Sequence, residues 1–178
     1  MMSHNRISFI MTNILSIVNT PTPCGDIVLG DINGSLCLSD WILNNHHLKS
    51  IARICKANNV AISYSSTPII ESAITQLSEY FQRTRTSFQL PTMLVGTDFQ
   101  KAVWRAINNI PFGCLISYSE LAQTIGMPRA VRAVANAVGA NPLPIIIPCH
   151  RVTTNRGEHT GFSGGINAKL QILTIESK

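Results

Sequence analysis

The chain has 178 residues, 45% of them hydrophobic and 13% charged, with a net charge of +5; this is enough apolar side chain to bury a core, and it excludes a disordered tail or a peptide scaffold. The five cysteines, at 24, 37, 55, 114 and 149, are odd in number and widely spaced, which fits reduced thiols and a cytoplasmic setting rather than a disulfide framework. Residues 92–178 hold eight Lys/Arg against four Asp/Glu, and residues 1–91 six against five, so the second half suits phosphate contact as well as ordinary solubility.

Ile7 to Val18 is apolar and follows Arg6, in the manner of a short signal sequence. Ser8, Thr12, Asn13 and Ser16 interrupt it, and no small-residue cleavage site precedes Pro21 and Pro23, so a first strand is expected there. No stretch reaches the length of a membrane-spanning helix. Ile14–Val18, Asp26–Asp31 and Ser35–Asp40 read as strands, with Asn33-Gly34 as a hairpin turn between the last two. After an unassigned middle, Thr67-Pro68 caps a helix that buries Ile70, Ile74, Leu77 and Phe81. Thr84–Gly96 reads as a connector, and a domain boundary near Leu90 divides the chain into 12–90 and 91–178.

The second half is mainly helical. Thr97-Asp98-Phe99-Gln100 is a capping box for a helix with Phe99, Val103, Ile107 and Ile110 on its apolar stripe. Ser117 to Glu120 is another, opening a short helix with Leu121 and Ile125 that Gly126 ends. Pro128 is expected to open the next helix, with Val131, Val134 and Val138 on its core face and Gly139 at its end. The two have the dimensions of a helix-turn-helix. Ala130, Ala133 and Ala137 form a stripe of small side chains on the second, and Arg129, Arg132 and Asn136 a polar one. That pattern fits a helix lying close on DNA, and equally a tightly packed internal helix pair.

Asn141-Pro142-Leu143-Pro144 cannot be helical, and Ile145–Ile147 reads as a short buried extended run delivering Pro148-Cys149-His150-Arg151. A lone cysteine beside a histidine is commonly an inert buried thiol. In an extended chain neighbours point apart, so His150 would reach Cys149 only through a water or a turn. Arg151, Lys169 or a helix N-terminus would favour the thiolate. Thr160 to Gly165 is glycine-rich and reads as a binding loop of backbone donors or a simple flexible turn, followed by an apolar run of Leu170, Leu173 and Ile175.

Taken together, these residues resemble the O6-alkylguanine-DNA alkyltransferase family. The resemblance is carried by Gln76-Leu77 with Tyr80-Phe81, Gly96 to Gln100 with Val103-Trp104, Ile110 to Gly113, Ser117-Tyr118, Arg132 to Val134, Asn141-Pro142, and Pro148 to Val152, in that order and covering nearly the whole chain. It implies an α+β protein: a small N-terminal RNase H-like α/β domain and a mainly helical, winged-helix-like C-terminal domain. Function is implied as DNA repair, with the alkyl group of O6-alkylguanine, and also of O4-alkylthymine, moving irreversibly from double-stranded DNA to Cys149 in a single turnover. The damaged nucleotide would be flipped out through the minor groove, since the alkyl group lies inside the duplex.

By matching position, Cys149 is the alkyl acceptor, His150 its water-linked base, Glu176 the carboxylate that orients and charges His150, and Asn141 the brace of the turn. Arg132 would fill the space left by the extruded base and Tyr118 crowd the 3′ phosphate, with Ala133 and Asn136 on the DNA face. Phe162, Ser163, Gly164, Pro144 and Lys169 would surround the substrate. The family usually has tyrosine at Phe162 and a turn glycine at Arg83. No cofactor is implied. Cys24, Cys37, His46 and His47 lack paired ligand spacing, so no metal is expected. The protein is expected as a monomer. Rival readings are a non-catalytic protein that binds alkylated DNA, a cysteine hydrolase and a winged-helix regulator; the first lacks an acceptor cysteine, and the second leaves the helix-turn-helix unexplained.

Overall fold

The computed structural model describes residues 13–43, 45–155 and 161–177. Strands β1 (Ile14–Thr20), β2 (Ile27–Ile32) and β3 (Ser35–Trp41) follow the apolar runs; Ile7 to Thr12 of the expected first strand lie outside the described residues. Asn33 and Gly34 have φ of 52° and 78°, the two positive values of a type I′ turn whose twist matches a hairpin. β1 pairs antiparallel with β2 and parallel with β4 (Ala61–Ser63), giving the order β3-β2-β1-β4.

Between β3 and β4 the unassigned middle holds a helix, α1 (His46–Asn58). Asn45 precedes it in the left-handed region without a side-chain cap, and only Ser50 and Ile54 are buried on it, so both sequence cues, cap and stripe, are missing. α2 (Pro68–Phe81) forms as its cap directs, with Thr67 Oγ1 accepting from the Ile70 amide. Alternate β2 residues enter two cores: Ile27 and Leu29 pack with α2, whereas Val28 joins Leu15, Leu38 and Ile54 of α1. The connector runs along β3, where Leu36 donates to the Pro91 carbonyl at 2.8 Å and Met93 to the Leu36 carbonyl at 2.9 Å, covering an edge that would otherwise be open.

The second half contains α3 (Asp98–Asn108), β5 (Ile116–Ser117), α4 (Tyr118–Thr124), α5 (Val131–Gly139), β6 (Val152–Thr153) and α6 (Gly165–Glu176). Both expected capping boxes are present. The architecture is α+β, as expected, and one apolar cluster unites the halves, with Trp41, Ile70 and Tyr80 meeting Trp104, Val134 and Ile172.

Four local expectations are corrected. α5 starts at Val131, not Pro128, because Pro128 and Arg129 are taken up in a turn closed by Ala130 N to Met127 O at 2.9 Å. Ala137 faces the core, where its carbonyl accepts from Trp104 Nε1 at 2.8 Å, so the small-residue stripe is split between two faces. Ile145–Ile147 is buried but turned rather than extended, with Ile145 at φ 71°. The buried face of α6 is Ala168, Lys169, Ile172 and Glu176, whereas Leu170 is exposed; α6 turns two charged side chains inward, which an apolar count cannot find. Arg83 adopts φ 62° in the turn after α2, and its guanidinium donates to the Thr174 carbonyl at 2.9 Å, tying that turn to α6.

Candidate active site

Asn141 builds the loop that presents the cysteine. Its side-chain oxygen accepts from the Leu143 amide at 3.0 Å and its nitrogen donates to the Ile147 carbonyl at 2.9 Å, which folds the intervening chain back and holds Ile145 in a region β-branched residues rarely enter. The chain then makes a 3-10 turn, Cys149–Arg151. With three residues per turn, successive side chains diverge in three directions, so the expected extended delivery of Cys149 is replaced by a turn.

Burial pushes the Cys149 thiol up to about 11; the charge of Asp40 adds to this, while a hydrogen bond with the Asn141 side chain and the charge of Lys169 oppose it. At neutral pH the resting group is a thiol, and a proton acceptor is required to make it nucleophilic. Lys169 is itself buried, its ammonium donating to the Val152 carbonyl at 2.8 Å. It contributes charge near the sulfur.

His150 is fully buried, and its Nε2 lies 2.8 Å from Glu176 Oε1. A carboxylate can only accept, so Nε2 carries the proton and Nδ1 bears the lone pair. Nδ1 is buried without a hydrogen-bond partner among the described residues. Burial drives the His150 pKa down despite Glu176, with the charges of Arg151 and Lys169 reinforcing the effect. Glu176 holds the ring through Nε2 and favours its charged form, and burial outweighs that pull. Arg151 Nε and Nη2 each reach Glu176 at 2.8 Å, Tyr80 Oη donates to it at 2.6 Å, and the Gly113 amide at 3.1 Å. Burial alone would raise the Glu176 carboxyl, yet the His150, Arg151 and Tyr80 hydrogen bonds outweigh it and hold the group well below the usual carboxylate range.

Tyr80 and Gly113 were not identified as site residues from the sequence. Tyr80 lies 96 positions from Glu176, and no local pattern records such a distant meeting.

Tyr118, Phe162 and Ser163 line a cavity of about 440 Å³ with His46, Lys49, Ala135, Gly139 and Gly161. The cavity reaches Gly139, two residues before Asn141. Phe162 packs on Trp41 with centroids 4.9 Å apart, and Gly164 is pressed so closely to the same indole that a Cβ would lie 2.5 Å from it. This second glycine is a close-packing position, while Thr160 of the same loop lies outside the described residues. Pro144 is buried, its carbonyl accepting from Ser39 Oγ at 3.3 Å. Arg132, Ala133 and Asn136 form an exposed face of α5. A larger cavity of about 890 Å³, between the 86–94 connector and α3, is lined by Pro148 and Arg151 but by none of Cys149, His150, Asn141 and Glu176, nor by the residues expected to meet substrate and DNA; convergent polar groups are a better guide here than size.

Residues 98–178 match the family described as 6-O-methylguanine DNA methyltransferase, DNA binding domain. A methylated-DNA–protein-cysteine methyltransferase of Mycobacterium tuberculosis H37Rv is 49% identical over 104 residues, 58% of this chain; the match spans only 63% of that relative, a little under two thirds of its length. The protein of the same name from Methanosarcina barkeri is 47% identical over 138 residues, covering 78% of this chain and 73% of that one. The crystal structure of Mycobacterium tuberculosis OGT in complex with DNA superposes with a TM-score of 0.76 at 34% identity, covering 92% of both chains.

Proposed function

Because the chain belongs to the methylated-DNA–protein-cysteine methyltransferase family, we propose that it repairs DNA by moving the alkyl group of O6-alkylguanine from the duplex to Cys149. The observation that carries the reading is the buried thiol bonded to Asn141, followed in the same turn by a neutral histidine whose buried Nδ1 has no partner among the described residues and whose Nε2 is fixed by Glu176. A DNA partner is supported by the exposed Arg132, Ala133 and Asn136 on the second helix of a helix-turn-helix, and by the DNA complex of the similar structure.

The target base leaves the stack and enters the cavity beside Phe162 and Ser163, with Tyr118 near its phosphate and Arg132 in the space it vacates. His150 Nδ1 takes the thiol proton through a water. The sulfur then attacks the alkyl carbon in line, the S–C bond forming as the C–O6 bond breaks and its electron pair departs with guanine, which regains a proton. The thioether has no route back, so each molecule acts once and no cofactor takes part. O4-alkylthymine offers the same alkyl–oxygen bond and is a second substrate in this reading. A monomer in the cytoplasm fits it: the five cysteines are free thiols, and among the described residues no helix is long and apolar enough to cross a membrane.

The test is direct. After incubation with a duplex carrying O6-methylguanine, mass spectrometry should find one methyl group, on the Cys149 peptide. Catalytic turnover, or methyl elsewhere, would refute it, and tight binding without transfer would favour a non-catalytic damage-binding protein.

Two further outcomes follow. Phe162→Tyr adds a donor for the departing guanine at an unchanged ring position, and a hydrogen bond to developing charge contributes about 1.5 to 3 kcal/mol, so single-turnover transfer should accelerate. An equal or slower rate defeats that assignment. Arg132→Ala should slow transfer from a duplex by about tenfold or more, since the vacated stack goes unfilled, while leaving transfer from the free base O6-methylguanine unchanged; equal losses on both substrates would remove Arg132 from the flipping step.

A further inference from the structure

We propose that His46 is a positioning residue for the transfer: held between Asp40 and the Gly139 carbonyl, its imidazolium clamps the C-terminal end of α5 to β3. The proposal rests on the functional reading above, in which α5 carries the DNA face.

α5 has no basic residue in its last turn, and a helix end needs donors for its last carbonyls. α1 supplies two from the other half of the chain. His46 Nε2 lies 3.0 Å from the Gly139 carbonyl, and Arg53 Nη2 donates to the Ala140 carbonyl at 3.1 Å. The other ring nitrogen of His46 bonds a carboxylate oxygen of Asp40. Both partners are acceptors, so both ring nitrogens must donate and the ring is a cation. That charge sits at the negative end of the α5 dipole. Asp40 is fully buried, and its second oxygen accepts from the Trp41 amide at 2.9 Å. Trp41 supports Phe162 and Gly164. One chain of contacts thus runs from the end of α5 through His46 to the loop that walls the cavity, and His46 itself lines that cavity.

The hydrogen bond to Asp40, helped by the Asp40 charge and the Gly139 carbonyl, raises the His46 pKa against burial and the charge of Arg53. The groups facing it are Asp40 from β3, Arg53 and Lys49 from α1, and Tyr118 across the cavity; α5 presents only the Gly139 carbonyl. A raised value means that the clamp is complete below the ordinary histidine pKa of about 6.5 and is lost as pH climbs through the folded value.

The test compares the natural chain with His46→Gln, which keeps Asp40 and its effect on Cys149, leaves the buried carboxylate an amide donor, and removes the imidazolium from between Asp40 and the Gly139 carbonyl. Single-turnover rates on a methylated duplex are taken between about pH 6 and pH 9, and their ratio at each pH cancels the ionisation of Cys149. The natural chain should be faster by on the order of tenfold at the acidic end, with the ratio approaching one as pH rises. A ratio independent of pH marks a structural role only and overturns the proposal. NMR of the natural chain supplies a readout without DNA: the His46 ring and the Ala140 and Asn141 amides should titrate together, above the ordinary histidine range. Titration at the ordinary value, or amides that stay still, overturns the clamp. Failure of the functional reading looks different, as absence of methyl on Cys149 at every pH, and the NMR result then decides the clamp.

Discussion

Cys149→Ala is expected to take up no methyl group from a methylated duplex while still folding and binding DNA. The side chain lost is small, so stability should change by about 1 kcal/mol, and Arg132, Ala133 and Asn136 on α5 are untouched. The effect on transfer is all or nothing because the group must end on one nucleophile. Cys114 is exposed and Cys37 sits in the core of the sheet, and neither has the Asn141, Lys169 and Asp40 surroundings of Cys149. In the natural chain His150 is already neutral through the neutral range and draws off the thiol proton itself, so the roughly tenfold climb per pH unit of an unaided thiol pushed up to about 11 should be absent there. Intact-mass measurement across a pH series checks both points. Methyl still incorporated into the alanine variant would transfer the acceptor role to another residue.

Glu176→Gln is expected to lower both stability and rate sharply. The carboxylate is 1% exposed and serves His150, Arg151, Tyr80 and Gly113 together. Removing its charge strands the Arg151 guanidinium, and breaking a buried pair from one side costs about 3 to 5 kcal/mol. An amide nitrogen facing His150 would also push the ring proton from Nε2 to Nδ1, abolishing the acceptor that draws off the thiol proton; loss of a general base slows chemistry by about 10² to 10⁴. Urea unfolding and single-turnover rates at low temperature separate the two effects. The acid limb gives a further sign. Held below its usual range, Glu176 contributes stability above the unfolded value of about 4.3, and this fades as pH falls toward the folded one. The glutamine variant should lack that part of the acid loss. A variant as stable as the natural chain, with a normal rate, would show that the network is not what holds the site.

Much of this was written locally. The Asn33-Gly34 hairpin, the Thr67-Pro68 start of α2 and the two capping boxes are short-range chemistry, each decided within four residues, and they formed where expected. α1 was invisible because it has neither a capping side chain nor a broad apolar stripe. The inward face of α6 was misread for the opposite reason: Lys169 and Glu176 are buried there by partners that lie far away in the chain.

The candidate site divides in the same way. The acceptor and base roles proposed for Cys149 and His150 come from their matching positions in the family, since a cysteine beside a histidine taken alone fits an inert buried thiol. Which nitrogen of His150 is left without a partner, that Arg151 and Tyr80 share Glu176, and that His46 of the first half meets the Gly139 carbonyl were decided only by the tertiary structure. Protonation depends on burial and on the set of acceptors and donors that converge on one atom, and those are brought together by packing across 96 positions in one case and 93 in the other, distances over which a sequence pattern has no period to reveal them.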